Sequence, residues 1–202
     1  MLVSDGPSSE VPQGRMQVLD TLPRSRVNGI DLDALDDLVD RVRNDPREGH
    51  TGFRVMTEWK GQTRSETTVE SFTCGGEPIR RNFTMVCDEP RALLGQDSAP
   101  NPQELLLTAF NACLMVGYVA QAALRGIALD DCRIETSGDM DMRGFLGLDE
   151  TVCPGYRRVS YTVYVSGNGT REQFEEIHQA VMATSPNYFN LAQPVQMCGR
   201  LA

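Results

Sequence analysis

The stretch LLLTAFNACLMVGYVAQAAL, residues 105–124, is almost unbroken in apolar residues and decides the fold of this chain. Asn101 and Pro102 stand just before it, and an N-cap asparagine followed by a proline is typical of a helix start. Arg125 and Gly126 follow it, where a cation and a glycine favour a helix end. The sequence therefore predicts one long apolar helix near the middle of the chain.

A helix of this composition resembles a membrane span, which needs about 20 apolar residues. Helices that are apolar all round also occupy the centre of soluble folds, and this stretch is interrupted by several polar side chains. They are Thr108, Asn111, Tyr118 and Gln121. We therefore expect a buried central helix and no membrane partner.

Strand patterns lie on both sides of this helix. Residues 53–86 alternate apolar and polar side chains around the turn sequence Gly75-Gly76-Glu77-Pro78, which is typical of an antiparallel meander. Residues 133–136 and 159–165 are a second pair of strand-like runs. Because the strands are grouped and do not alternate with helices, this order predicts an α+β fold with antiparallel sheets.

A second amphipathic helix is predicted in the last third of the chain. Thr170 and Gln173 have the spacing of a capping box at its start. Ser185-Pro186 predicts its end, because the residue before a proline disfavours the helical conformation. Residues 195–201 are predicted to form a last strand.

The N-terminal quarter divides into two parts. Residues 1–27 mix Pro, Gly, Ser and Arg without periodicity and are expected to form a flexible arm. Asp31 has the position of an N-cap for a short amphipathic helix that Asp45-Pro46 ends. Residues 28–50 are therefore predicted to be a helical extension, and residues 51–202 the main domain.

Composition and charge argue against several classes of protein. The 202 residues carry a formal net charge of -9 without a basic tract, so a nucleic-acid partner is not expected. Lys60 is the only lysine and lies in no P-loop motif. His50 and His178 are the only histidines and lack the spacing of metal ligands. We therefore expect neither a metal nor an organic cofactor.

The cysteines are best interpreted as free thiols. The first residues, MLVSDGP, have neither the basic nor the apolar region of a secretory signal, so a cytoplasmic, reducing location is expected. No two cysteines have Cys-x-x-Cys spacing. Cys113, in the middle of the apolar helix, is either a packed core residue or the residue that carries chemistry. The six are Cys74, Cys87, Cys113, Cys132, Cys153 and Cys198.

Six segments occur in a characteristic order and spacing. They are Asp88-Glu89-Pro90, residues 101–107, Ala112-Cys113-Leu114, residues 123–127, residues 138–148 and Ser185-Pro186. Together they resemble the osmotically inducible protein C / organic hydroperoxide resistance (OsmC/Ohr) family over residues 50–202. The helix at residues 31–44 is similar to the N-terminal extension of one OsmC-like subgroup.

This resemblance implies a fold and a chemistry. The implied fold is an α+β homodimer in which two intertwined chains pack two central helices between antiparallel sheets. Family members with demonstrated chemistry are thiol peroxidases that reduce organic hydroperoxides. In them one cysteine attacks the peroxide and becomes a sulfenic acid, and a second cysteine resolves it as a disulfide. An arginine and a glutamate activate the first cysteine.

The redox pair is only half present in this sequence. Cys113 occupies the position of the attacking cysteine in the resemblance. The resolving cysteine should stand before the proline at the end of the second helix, but Ser185 stands there, and a hydroxyl group cannot form a disulfide. The resemblance therefore implies an external thiol as reductant or, less directly, Cys198.

The activating residues also depart from the family pattern. The glutamate should directly follow Asn101-Pro102, where this chain has Gln103, with Glu104 one residue later. One residue along a helix is a rotation of about 100°, so Glu104 is not a simple substitute. The arginine belongs to an early strand-turn region, where Arg80 and Arg81 are alternatives, and we place Arg81 in the predicted site.

Three functions are compatible with these residues. The first is a thiol-dependent hydroperoxide reductase in oxidative stress defence, with Cys113, Arg81, Glu104 and Ser185 as its site. The second is a non-catalytic protein of the same fold that binds a hydrophobic small molecule. The third is an enzyme with different chemistry at Cys113. Selective oxidation of Cys113 by an organic hydroperoxide separates the first two.

Overall fold

The computed structural model describes residues 26–201, so the predicted arm at residues 1–27 lies outside the described residues except for its last two. The strands are β1 Arg26–Val27, β2 Ile30–Asp31, β3 Thr51–Phe53, β4 Met56–Trp59, β5 Ser65–Cys74, β6 Glu77–Cys87, β7 Leu129–Gly138 and β8 Val159–Gly167. The helices are α1 Leu32–Asn44, α2 Pro102–Leu124, α3 Met142–Phe145, α4 Arg171–Thr184 and α5 Pro186–Ala192. All strand pairs are antiparallel, which confirms the predicted α+β class.

Strands β3 to β6 form one sheet in which β5 is the common partner. β3 and β4 pair with successive parts of β5, from Thr51↔Cys74 to Trp59↔Ser65, and β6 pairs along the length of β5. The alternating run at residues 53–59 is thus divided between two strands. β7 and β8 form a separate two-stranded sheet.

One face of the β3–β6 sheet is apolar and exposed; we call it the apolar sheet face. Phe83 and Met85 of β6 and Trp59 of β4 pair with Val69, Thr67 and Ser65, which alternate along β5, so these three apolar side chains point to the same side. Trp59 is 76% exposed and Phe83 54%. A continuous exposed apolar surface of this kind is typical of a surface that is covered by a partner.

The main core forms between α2, α4 and the β7–β8 hairpin. Phe110, Leu114 and Tyr118 of α2 meet Ile177 and Val181 of α4, and each of the five is almost fully buried. Burying one such aliphatic side chain contributes about 2 kcal/mol to the free energy of folding. The long apolar helix predicted from the sequence is confirmed, and it is the element around which this core is built.

The ends of α2 follow from local capping. The Glu104 N–H donates to Asn101 Oδ1 at 2.9 Å, and the Asn101 N–H donates to Glu104 Oε2 at 2.8 Å, which together form a capping box. Gly126 ends the helix at a φ of 68°. Within residues 26–201, α2 is also the one helix whose length and composition would suit a membrane span. One face of α2 packs against α4 and β7.

The N-terminal extension begins with a hairpin that we did not predict. Asn28 and Gly29, with φ of 53° and 79°, form the two-residue turn between β1 and β2, for which Asn-Gly is the preferred pair. The Asn28 amide donates to Ile127 O and accepts from Leu129 N–H, both at 2.9 Å. This side chain therefore attaches the hairpin to the connection between α2 and β7.

Two predictions for the C-terminal part need correction. Residues 195–201 are not a strand: they pair with no other strand of the described chain, and Met197 is 88% exposed. A strand is stabilised by its neighbours, so an alternating pattern without a pairing partner stays irregular. Ser185-Pro186 does end α4, but it also starts α5, because serine is a good N-cap and proline is tolerated in the first helical turn.

Asp88 organises the loop that leads into α2. Its carboxylate is fully buried and accepts hydrogen bonds from the Thr63 and Ser98 hydroxyls and from the N–H groups of Glu89, Gln96 and Ser98. The two hydroxyl groups and the N–H groups favour the ionised form and lower the pKa of Asp88 from 3.8 to about 2. The buried charge thus holds both ends of the loop together.

We expect Asp88→Asn to destabilise the protein at neutral pH, because the amide presents N–H donors to groups that are themselves donors. Since the pKa of Asp88 is lowered on folding, its contribution is complete above pH 4 and is lost as the pH falls towards 2. Urea unfolding at several pH values should show the variant converging with the wild type at low pH. Asp97→Asn, at an exposed position of the same loop, is the control. Equal losses of unfolding free energy in Asp88→Asn and Asp97→Asn at neutral pH would contradict the prediction.

Candidate functional site

The candidate site lies where α2 and the end of α4 meet. Gly117 allows the two helices to approach closely, since a Cβ atom there would lie 3.0 Å from Val181 Cγ1. One turn earlier on α2 and one turn later on α4, Cys113 Sγ lies 3.3 Å from Ser185 Oγ. The contact is a hydrogen bond in which either atom can be the donor. The structure thus brings together two of the four predicted site residues.

Ser185 is held in place by its position between two helices. Its N–H donates to Val181 O at 2.9 Å at the end of α4. Its hydroxyl oxygen accepts from the Tyr188 N–H at 3.3 Å and so caps α5. The side chain is 6% exposed. The residue that replaces the expected resolving cysteine is therefore both buried and fixed in orientation.

Asn187 and Tyr188 are site residues that the sequence analysis missed. The Asn187 amide Nδ2 donates to the carbonyl oxygen of Ala109 at 2.8 Å, one helical turn before Cys113. Together with the Cys113–Ser185 contact, this bond fixes the start of α5 against one turn of α2. The available signal was Ser185-Pro186, which marks a helix start as well as a helix end.

An open cleft of about 540 Å³ lies between the first half of α2, α5 and the loop before β8. Its walls combine apolar and polar side chains, including two arginines in the loop before β8. The residues that define it are Gln103, Leu106, Phe110, Arg157, Arg158 and Tyr188. Phe110, one turn before Cys113, and Tyr188, whose N–H donates to Ser185 Oγ, line the cleft, whereas Cys113 and Ser185 do not.

The structure gives Glu104 a structural role at the start of α2. Its carboxylate closes the capping box with Asn101, and it lies about 13 Å from Cys113 along the helix axis at 1.5 Å per residue. Gln103, at the position where the resemblance expects the activating glutamate, lines the cleft. Within one chain, Glu104 and Cys113 are therefore not brought together.

Arg81 lies on the apolar sheet face. Its guanidinium carbon is 4.6 Å from the centre of the Phe83 ring and 5.9 Å from that of Phe72. Arg80, the preceding residue of β6, pairs with Ser71 of β5. Of the two alternatives, Arg81 is the one that contacts aromatic rings, and within one chain these contacts are on the sheet and not on α2.

A second polar contact connects the same two helices deeper in the core. The Tyr118 hydroxyl is hydrogen-bonded to His178 Nδ1, and burial raises the pKa of Tyr118. Burial also raises the pKa values of the Cys87 and Cys132 thiols. These two thiols are thus disfavoured as thiolates, as expected for cysteines that serve packing.

Comparison with known proteins gives the chain a family. A sequence model of OsmC-like proteins, OsmC, matches residues 95–197. No curated protein matches the sequence.

Solved structures share the fold at low identity. A Psychrobacter arcticus protein, described as a candidate osmotic stress induced and detoxification response protein, is 14% identical with a TM-score of 0.52, over 66% of this chain and 84% of that one. An OsmC-like protein of unknown function from Vibrio cholerae is 13% identical with a TM-score of 0.51, over 67% of this chain and 90% of that one. At these identities the likeness shows the fold alone.

The family match spans slightly more than half of the chain and contains the parts from which the site is built. Both Cys113 on α2 and Ser185 between α4 and α5 lie inside it. The resemblance seen in the sequence is therefore confirmed, and this chain belongs to the OsmC family of OsmC-like proteins.

Proposed function

We propose that this protein is a thiol-dependent reductase of organic hydroperoxides that acts in oxidative stress defence, with Cys113 as the reacting thiol. The observation that carries the proposal is the 3.3 Å contact between Cys113 Sγ and Ser185 Oγ. In the resemblance these two positions hold the redox pair. Their contact supports a site with the family arrangement, in which one of the two thiols has become a hydroxyl.

The proposed reaction uses a hydroperoxide as oxidant and an external thiol as reductant. The Cys113 thiolate attacks the terminal peroxide oxygen, an S–O bond forms as the O–O bond breaks, and the departing alkoxide takes a proton to become an alcohol. One external thiol condenses with the sulfenic acid, releasing water and leaving a mixed disulfide. A second external thiolate attacks that disulfide and releases the Cys113 thiolate.

The neighbouring cleft supports an apolar substrate. Leu106, Phe110 and Tyr188 offer the organic group of a hydroperoxide an apolar surface that comes within one helical turn of Cys113, at Phe110. The same cleft supports the alternative function, a non-catalytic protein that binds a hydrophobic small molecule. The two functions differ in whether Cys113 reacts.

A brief pulse of an organic hydroperoxide, followed by a dimedone-type reagent, separates them. We expect the sulfenic acid to be trapped at Cys113 at least about tenfold faster than at any other cysteine, because a reactive thiol needs a site that favours its thiolate. Peptide mass spectrometry resolves all six cysteines in one sample. If Cys113 is trapped no faster than the exposed Cys153 and Cys198, the binding function is correct and the reductase proposal is wrong.

We further propose that the protein acts as a homodimer. The apolar sheet face is exposed in a single chain, and so is Val116 of α2, which is 70% exposed. A second copy that covers these surfaces would bring the Arg81 cation to the interface between copies. This arrangement would supply the cation that a single chain does not place beside Cys113.

Size-exclusion chromatography with light scattering tests the dimer. We expect a particle of twice the 22.3 kDa chain mass, because so large an exposed apolar surface is unstable in water. Phe83→Asp, on the apolar sheet face, should shift the protein towards the monomer, whereas Glu70→Ala, on the same sheet, should not. A stable, folded wild-type species with the mass of one chain would show that the proposal is wrong.

A further inference from the structure

We propose that Ser185 is a functional replacement for the expected cysteine: its hydroxyl donates a hydrogen bond to the Cys113 sulfur and stabilises the thiolate. This inference rests on the proposed reductase function, in which Cys113 reacts as a thiolate. It assigns to Ser185 a role that a resolving cysteine does not have. The residue touches the reacting atom and would therefore be part of the catalytic site.

The direction of the hydrogen bond follows from the other partner of the hydroxyl. The Tyr188 N–H donates to Ser185 Oγ at 3.3 Å, which occupies a lone pair of that oxygen and leaves its own hydrogen free to donate. A neutral Cys113 thiol could still donate to the same oxygen. A thiolate has no hydrogen, so once Cys113 ionises the 3.3 Å contact can persist only with Ser185 as donor.

The surroundings make this hydrogen bond effective. Ser185 is 6% exposed, so water competes little for its hydroxyl group. Hydrogen bonds to a charged acceptor are about twice as strong as neutral ones.

Asn187 acts as a positioning residue for this contact. Its bond to Ala109 O, at 2.8 Å, ties the first turn of α5 to the turn of α2 that ends at Cys113. Two independent hydrogen bonds thus hold the same pair of helical turns together. The distance between Ser185 and Cys113 is set by this pairing and not by the flexible reach of either side chain.

The test compares Ser185→Ala with Ser185→Thr and uses Thr170→Ala as a control. The alanine variant loses both the hydroxyl donor and the α5 cap, whereas threonine keeps both. Thr170 Oγ1 caps the other end of α4 with a bond of the same 3.3 Å length to the Gln173 N–H, far from Cys113. The control therefore reports what the loss of a helix cap does by itself.

The readout is the rate at which iodoacetamide alkylates Cys113, followed by peptide mass spectrometry. At pH 7 we expect Ser185→Ala to slow alkylation about tenfold, with normal rates in Ser185→Thr and Thr170→Ala. At about pH 10, above the ordinary range of a cysteine thiol, the difference should largely close, because the thiol is ionised in both proteins. A merely structural role would not produce this dependence on pH. Circular dichroism at both pH values confirms that each variant is folded.

Unchanged alkylation in Ser185→Ala at pH 7 would overturn the inference, as would faster alkylation at both pH values, which would indicate simple loosening of the site. If the alanine variant does not fold, failure of threonine to keep the wild-type rate overturns it instead. The hydroperoxide pulse tests the reductase function, independently of the alkylation experiment. A wild-type Cys113 that alkylates as expected but is not oxidised leaves the inference standing and removes the reductase function.

Discussion

Replacing Cys113 with serine is expected to reduce thiol-dependent hydroperoxide consumption at least about a hundredfold, to the level of the remaining thiols. A serine hydroxyl at this position is not ionised at neutral pH and cannot accept the peroxide oxygen as a thiolate does. The measurement is the loss of an organic hydroperoxide in the presence of excess dithiol. The change is nearly isosteric at a half-buried position, so the fold should be retained.

Cys153→Ser is the matched control for this loss. Cys153 is exposed and lies outside the α2–α4 contact, so its removal should leave consumption unchanged. Full activity in Cys113→Ser, or equal losses in the two variants, would show that Cys113 is not the reacting thiol. The third function considered from the sequence is different chemistry at Cys113. It would be supported if iodoacetamide alkylates Cys113 selectively in a wild-type protein that consumes no hydroperoxide.

The second large effect is expected from Ser185→Cys, which should form a disulfide with Cys113 after a single pulse of hydroperoxide. The two γ atoms are already 3.3 Å apart, and a disulfide requires sulfurs about 2.05 Å apart, so small rotations of the side chains suffice. Mass spectrometry without reduction should find the cross-linked peptides in most molecules. In the wild type, Cys113 should instead over-oxidise to the sulfinic acid, because no neighbouring thiol removes the sulfenic acid.

Thr184→Cys is the control for the added thiol. Thr184 is the preceding residue and is exposed, so a cysteine there lies about 100° around the helix from the contact with Cys113. It should neither form the disulfide nor protect Cys113 from over-oxidation. If Ser185→Cys behaves like Thr184→Cys, the contact between Cys113 and residue 185 is not maintained in solution.

Local chemistry explains why much of the fold could be predicted. The apolar run of α2 and the caps at Asn101 and Thr170 act over a few residues, and the structure contains both helices with both capping boxes. Residues 195–201 have an equally local strand pattern and failed, because strand formation depends on a partner that local sequence does not specify. The Asn28-Gly29 hairpin was a local signal too, but it lies where the flexible arm predicted for residues 1–27 meets the helical extension predicted for residues 28–50, and neither prediction included a turn.

The sequence by itself determined the α+β class, the apolar helix that carries Cys113 and, through the order of its motifs, the OsmC family. It also determined that Ser185 precedes Pro186, at the position where the resemblance expects the resolving cysteine. Only the tertiary structure decided what Ser185 does there. Cys113 and Ser185 are 72 residues apart, and the distance between them is set by the approach of α2 to α4 at Gly117 and by the Asn187 bond to Ala109. Helical periodicity specifies which residues share a face of one helix, but the register between two helices is chosen by close packing.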